Sequence, residues 1–353
     1  MAVLEIAILT LSFFFIAGTL APLLNYDHWL IRDWDFPRLQ VAGALAILLI
    51  AGCVVYPFSA VGHYLLNISL ALCLAGQLVQ IFPYTPLSKK QVKQSKKSSA
   101  AGSLSMLSSN VYMPNRNVEG LLKLVQQKQP HMLLTLETNL WWEQGLSALE
   151  KDYPYTVKVP LENLYGMHLY SKLPLTYVQV EFLMEPGIPS IHACAELENG
   201  ELVTLHCLHP MPPSPTESKT STNRDAELLL VGKSIDTRKG PVIVLGDLND
   251  VAWSRTTRLF QKISGLLDPR KGRGFFNTYN AKYPFMRWPL DHMFHSNHFT
   301  LINIERLPTI GSDHFPMYLS LHLEPQARQK QEEPEADAGE MEWAEEKIEE
   351  GMG

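Results

Sequence analysis

From Leu39 to Ser88 the chain has no Asp, Glu, Lys or Arg. A helix buried in a soluble domain keeps a polar face, and this stretch offers none, which argues against a soluble helical segment. Cysteine is also scarce, at 4 in 353 residues, so a disulfide-stapled secreted fold is excluded. Cys53 and Cys73 fall inside the uncharged stretch, while Cys194 and Cys207 fall on segments that read as paired strands; these two are expected as small core residues. No Lys or Arg precedes the first apolar run, Ile6 to Leu24, where only Glu5 stands. That absence speaks against a cleaved signal peptide and for a retained anchor. No internal repeat is present.

The apolar material itself is abundant. A membrane-crossing helix needs about 20 apolar residues rising about 1.5 Å each. The uncharged stretch holds two such helices, near 39–56 and 61–82, with "YPFSA" (56–60) as the turn between them, and residues 6–24 make a third. Lys89, Lys90, Lys93, Lys96 and Lys97 follow the third span directly. The positive-inside rule sets them in the cytoplasm, with the N-terminus outside and everything after residue 88 inside. The expectation is an integral protein of the cell (inner) membrane that meets the lipid bilayer through residues 1–87.

Residues 88–103, "SKKQVKQSKKSSAAGS", are basic and small, and are expected to form a flexible linker. From about Glu324 acids outnumber bases heavily, so 324–353 is expected to be a disordered tail. Between them, 104–323 alternates strand-like and helix-like segments. "LSMLSSNVY" and "HMLLTLE" read as buried strands flanking an amphipathic helix, and Asn199-Gly200 reads as a hairpin turn. Ser221 or Thr222 is a suitable cap for the helix that follows. The pattern implies two packed sheets with helices outside.

"PVIVLGDLND" (241–250) ends a buried strand in Asp247, Asn249 and Asp250. Other segments end in the same way: Asn110, Glu137, His209, Asp291, and the pair Asp313 and His314. Strand ends are where a rigid scaffold exposes chemistry, and these residue types suit one task. Oxygen ligands fit a hard divalent cation such as Mg²⁺ or Mn²⁺, and a carboxylate near a histidine fits activation of water.

In order and spacing, "SSNVY…LTLET…LHCLHP…VLGDLND…PLDHMF…GSDHFP" resembles the endonuclease/exonuclease/phosphatase superfamily, as a bacterial-type, membrane-anchored member. The resemblance covers about 104–323 and implies a catalytic domain built as a four-layer α/β sandwich, two mixed sheets face to face with helices on the outside. It implies that Asn110 and Glu137 bind the metal, with Asp313 as a further ligand or a ligand through water. His314 would move a proton, oriented by Asp291; Asp247 would position or deprotonate the attacking water; Asn249 and His209 would hold phosphate oxygens. Arg224, preceding Asp225 at a helix start, either reaches the phosphate or forms a salt bridge.

The substrate reading stays divided between nucleic acid and phospholipid. Arg255, Arg258, Lys262, Arg270, Lys271, Arg273, Lys282 and Arg287 face only Asp268 in the stretch 255–287. Such a basic rim suits a polyanion, so a nuclease-like phosphodiesterase is the first expectation. A lipid phosphodiesterase or phosphatase is the alternative, because the anchor holds the site near the bilayer; a catalytically inactive membrane binding protein is the remaining reading. His292, His295 and His298 are expected as core and surface histidines rather than a zinc site, and Trp141 and Trp142 as packing residues. Nothing in the sequence points to a protein partner.

Overall fold

The computed structural model describes residues 2–55, 61–96 and 102–353; the expected turn at 56–60 and Lys97 lie outside them. Helices α1 (Ala2–Leu20), α3 (Arg38–Val55) and α4 (Val61–Ile81) pack together, with the four-residue α2 (Trp29–Arg32) in the connection between the first two long ones. All three long helices are long and apolar enough to cross a membrane. Val54, Val61, Leu72 and Val79 among others point outward. At one end the helices are tied by polar contacts: Arg38 pairs with Asp35 and donates to Gln77 Oε1 at 3.0 Å, and Gln77 donates to Thr19 Oγ1 at 3.1 Å.

Beyond the anchor run β1 (Ser103–Asn110), α5 (Val118–Lys128), β2 (Met132–Leu136), α6 (Leu140–Leu146), β3 (Tyr155–Val159), β4 (Met167–Ser171), β5 (Leu175–Glu181), β6 (Ser190–Glu196) and β7 (Leu202–Leu208). They are followed by α7 (Thr222–Ser234), β8 (Val242–Asp247), α8 (Arg255–Ser264), β9 (Asp291–His295), β10 (Phe299–Arg306), β11 (Met317–Leu323) and α9 (Ala338–Met352). One sheet has the order β10-β11-β1-β2-β4-β3, the other β5-β6-β7-β8-β9, and each contains one parallel pair, β1 with β2 and β7 with β8. Period-two alternation sends Met106, Ile243 and Leu245 into the core between the sheets. It turns Leu107 outward against α5 and α6, and Val242 and Val244 outward against α7 and α8. The expected four layers follow, and the Asn199-Gly200 hairpin joins β6 to β7, with Gly200 at φ +82°.

Two expectations about order are overturned. Residues 88–96 are not a free linker: Val92 is fully buried, and Gln94 lies alongside Leu301, whose carbonyl accepts from Ser95 N at 2.7 Å. The edge strand β10 leaves backbone groups unpaired, and this segment satisfies them. The acidic tail is not disordered either. Asp337 and Glu340 form a capping box for α9, whose Ala344 and Ile348 pack on Leu229 and Leu259. Its acids meet Lys233 and Lys262, and its Lys347 meets Asp27 of the anchor at 2.7 Å.

The connection between α1 and α3 docks on the sandwich. Asp27 O accepts from Ser221 N at 2.8 Å, Asp35 O from Trp253 Nε1 at 2.6 Å, and the Tyr84 hydroxyl donates to Ala252 O at 2.6 Å.

Candidate functional site

Parallel pairing aims the C-terminal ends of β1, β2, β7 and β8 at one edge of the sandwich. β9 and β11 run antiparallel to their neighbours, so their beginnings lie there too; Asp247 and Asp291 are register partners. Eight of the nine strand-end residues named from the sequence meet at this edge, Asp250 being the exception. Glu137, His209, Asp247, Asn249, Asp313 and His314 line a cavity of about 550 Å³, while Asn110 and Asp291 stand behind that lining, almost fully buried.

The local backbone is specialised for this placement. Gly246 has φ +144°, and a Cβ there would lie 1.9 Å from Leu208 O, so only glycine lets β8 run this close to β7. Glu137 and Asn249 adopt left-handed conformations with φ +59° and +50°, a strain that clusters at functional sites. The Ser312 hydroxyl donates to Asn110 O at 2.8 Å and accepts from His314 N at 3.0 Å, linking the loop before β11 to the end of β1.

His314 sits between two carboxylates. Its Nδ1 contacts Asp291 Oδ2 at 2.8 Å and its Nε2 lies 3.4 Å from Asp247 Oδ2. Burial alone would push the imidazole down, but Asp247 and Asp291 outweigh it and push it up to about 10. Burial likewise raises Asp291, and His314 only partly offsets this. Burial would also raise Asp247, but there the neighbouring imidazoles, the Asn249 N–H and Asn110 prevail and hold it below the usual carboxylate range. Burial pushes His209 down to about 4, so it is a neutral ring at pH 7, and it packs against Tyr165 at 5.2 Å between centroids. The Tyr279 ring packs at a tilt against His314, with 4.9 Å between ring centroids.

The donor set fits a hard cation. Four carboxylates, Glu137, Asp247, Asp291 and Asp313, surround one histidine, and burial pushes Glu137 up to about 7 despite hydrogen bonds from Asn110 Nδ2 at 2.8 Å and Met113 N at 3.2 Å. A carboxylate so short of counter-charge is what a divalent ion restores. Asn110 Oδ1 accepts from Tyr112 N at 3.0 Å, leaving one lone pair for a cation. Asp247, Asp291 and His314 also cluster within 4.8 Å. With both imidazole nitrogens turned to carboxylates, that trio is a hydrogen-bonded relay rather than a metal centre.

Some sequence expectations fail here. Arg224 does not reach the cavity: it is 2% exposed, pairs with Asp225 at 2.7 Å and donates to Asn249 O at 2.8 Å. Two buried acids, Asp225 and Asp250, claim the guanidinium, and its effect on the site passes through the Asn249 backbone. Asp250 itself turns away, accepting from Ser254 and from Thr257 Oγ1 at 3.1 Å. Most of the basic stretch is not a rim, and only Lys282 and Arg287 lie beside the cavity-lining Met286 and Trp288. Arg270 is buried against Asp268, Lys262 pairs with Glu340, Arg273 donates to Val92 O, and Arg255 stacks on Trp343. His292, His295 and His298 are separately engaged, by Arg270 and Asp250 O, by Ser296 O, and by Ser296 Oγ. Cavity residues without a sequence signal include Tyr165 and Tyr279, and Phe36 and Pro37 from the connection before α3.

A family model described as "Endonuclease/Exonuclease/phosphatase family" matches residues 107–314. The chain belongs to that family. Its members are phosphoric ester hydrolases, generally dependent on a divalent metal. Similar solved structures include a D. rerio TDP2 humanised by 14 mutations, at 13% identity and TM-score 0.51, covering 63% of this chain and all (100%) of that one. The human Nocturnin catalytic domain with bound sulfate is similar at 16% identity and TM-score 0.51, covering 63% and 95%. D. rerio TDP2 with a single-strand DNA product is similar at 15% identity and TM-score 0.50, covering 62% and 99%. These likenesses establish the fold alone. A comparison with curated proteins found no match.

Proposed function

We propose that the protein is a membrane-anchored, divalent-metal-dependent phosphoesterase that cleaves its substrate by in-line attack of an activated water. The observation that carries this is the meeting of Glu137, His209, Asp247, Asn249, Asp313 and His314 in one cavity. Glu137, with Asn110 and Asp313, would hold Mg²⁺ or Mn²⁺, which when bound neutralises charge on the phosphoryl oxygens. Asp247, ionised and within reach of His314, takes the proton from the attacking water. The phosphorus–oxygen bond to the leaving group breaks as the water oxygen bonds to phosphorus. His314, kept cationic by its two carboxylates, and the side chains of Asn249 and His209 hold the non-bridging oxygens as charge develops there.

The anchor reading rests on three apolar helices whose domain-side ends carry Arg32, Arg38, Lys89 and Lys90, which by the positive-inside rule puts the site on the cytoplasmic face of the cell membrane. With six of its eight bases engaged elsewhere and only Lys282 and Arg287 beside the cavity-lining loop, the 255–287 stretch favours a nucleic acid less than its composition suggests. The test uses the full chain in detergent with a nitrophenyl phosphodiester. Turnover should need Mg²⁺ or Mn²⁺, stop in excess chelator, and fall about 10²–10³-fold in Glu137→Gln, with weaker divalent binding by calorimetry. Metal-independent turnover would refute the assignment.

A further inference from the structure

The loop between Tyr279 and Trp288 ends in "YPFM", and its large side chains are bare: Tyr283 is 60% exposed, Phe285 88% and Met286 54%. An apolar cluster at a loop tip is costly in water unless something covers it. Its position says what does. Phe285 O accepts from Gln40 Nε2 at 2.8 Å, in the first turn of α3, and Trp288 packs edge-on against Phe36 at 5.7 Å. The tip therefore sits level with the start of a helix apolar enough to cross a membrane. Lys282 and Arg287 flank it, the arrangement of aromatic and basic groups that settles at a headgroup boundary.

The same loop is a wall of the reaction cavity. Met286 and Trp288 line it together with Phe36 and Pro37 of the connection before α3 and with Leu164; the acids Asp33 and Glu217 line it too, as do Asp247, Asp313 and His314. A cavity that combines apolar side chains from this loop and from the connection before α3 with the polar groups suited to a phosphate fits a molecule with tails and a phosphate.

We infer that the 283–286 tip dips into the bilayer beside α3 and that, with Phe36 and Pro37, it forms a slot through which a bilayer phospholipid delivers its phosphoester to the site. This rests on the phosphoesterase reading. The phosphate moves to the polar groups of the cavity while the acyl chains stay between its apolar side chains and the membrane.

Two measurements test it, both on the full chain. In nanodiscs containing brominated phospholipid, the extra tryptophan emission of Phe285→Trp over wild type should be quenched; unquenched emission would overturn the dipping tip. With phosphatidylethanolamine/phosphatidylglycerol vesicles and a soluble nitrophenyl phosphodiester, Phe285→Glu should lower the ratio of lipid to soluble-ester hydrolysis at least tenfold. An unchanged ratio overturns the slot. If wild type cleaves the soluble ester but no vesicle lipid, or prefers DNA or RNA to lipid, the substrate inference fails and the phosphoesterase reading survives. If it cleaves none of these, both fall.

Discussion

Asp291→Asn isolates the relay from the metal centre. Asp291 touches His314 Nδ1 at 2.8 Å and does not line the cavity. At that distance a full charge in a medium of effective dielectric ~20 interacts with an imidazolium by about 6 kcal/mol. That is an upper bound, because the asparagine keeps the shape and one hydrogen bond. In serine proteases, removing only the charge and correct tautomer from the equivalent Asp–His contact slows turnover by about 10⁴. A fall in kcat of roughly 10³–10⁴, or about 4–5.5 kcal/mol of barrier, is expected here. Fold stability should change little, since burial already disfavours the Asp291 charge. The assay is steady-state hydrolysis of a nitrophenyl phosphodiester by the full chain in detergent, with Mg²⁺ titrated and a melting scan alongside. Turnover within tenfold of wild type in a folded variant would refute the orienting role. A near-normal rate at saturating Mg²⁺ with a much higher Mg²⁺ requirement would show that Asp291 is a ligand.

Gly246→Ala should destabilise by about 3–5 kcal/mol and misplace Asp247, because the new methyl would meet Leu208 O at 1.9 Å; chemical denaturation and turnover read both. Arg224→Met leaves Asp225 and Asp250 without their cation and Asn249 O without its donor, a loss of about 3–5 kcal/mol measured by denaturation. Glu227, 3% exposed and with its Oε1 unpartnered among the described residues, is pushed by burial up to about 8 from 4.5. The folded chain thus keeps a proton that the unfolded chain releases near 4.5, so this carboxyl's contribution falls as pH rises from about 4.5 to 8, by at most about 5 kcal/mol. Glu227→Gln should flatten that decline, and melting scans from pH 5 to 9 would show it; an unchanged pH slope would contradict the buried, protonated state.

The sandwich was legible because its signals are local. Alternation along "VIVLG" assigns Ile243 and Leu245 to one face and Val242 and Val244 to the other, as found, and polar groups at strand ends mark the catalytic edge whatever the loops do. The residues misread are those decided by distant partners. Val92 is one apolar residue among lysines, and only the open edge of β10 makes it core. The tail's acids hide an i, i+4 pair, Ala344 and Ile348, whose value depends on the apolar patch of α7 and α8. Arg224 takes the salt-bridge alternative, with Asp225, and Arg270, counted as part of a basic rim, is neutralised by Asp268 two residues away once burial brings the pair together. A count of bases cannot distinguish a rim from a set of internal ion pairs.

The sequence suggested a catalytic domain on a loose tether, and the contacts instead join the N-terminal helices to the sandwich. Asp27 pairs with Lys347 of α9, Trp253 and Tyr84 lock the two parts by hydrogen bonds at 2.6 Å, and Phe36 and Pro37 line the cavity. A flexible tether would let the site turn toward the cytosol and sample soluble substrates from any direction. These contacts instead fix the cavity's orientation relative to α3. Removing residues 1–100 would strip a wall from the cavity and the cover from Trp253 and Leu290, which pack with Ile81 and Tyr84. The truncated sandwich should therefore be less stable than the full chain and should lose selectivity between lipid and soluble ester even where it still folds.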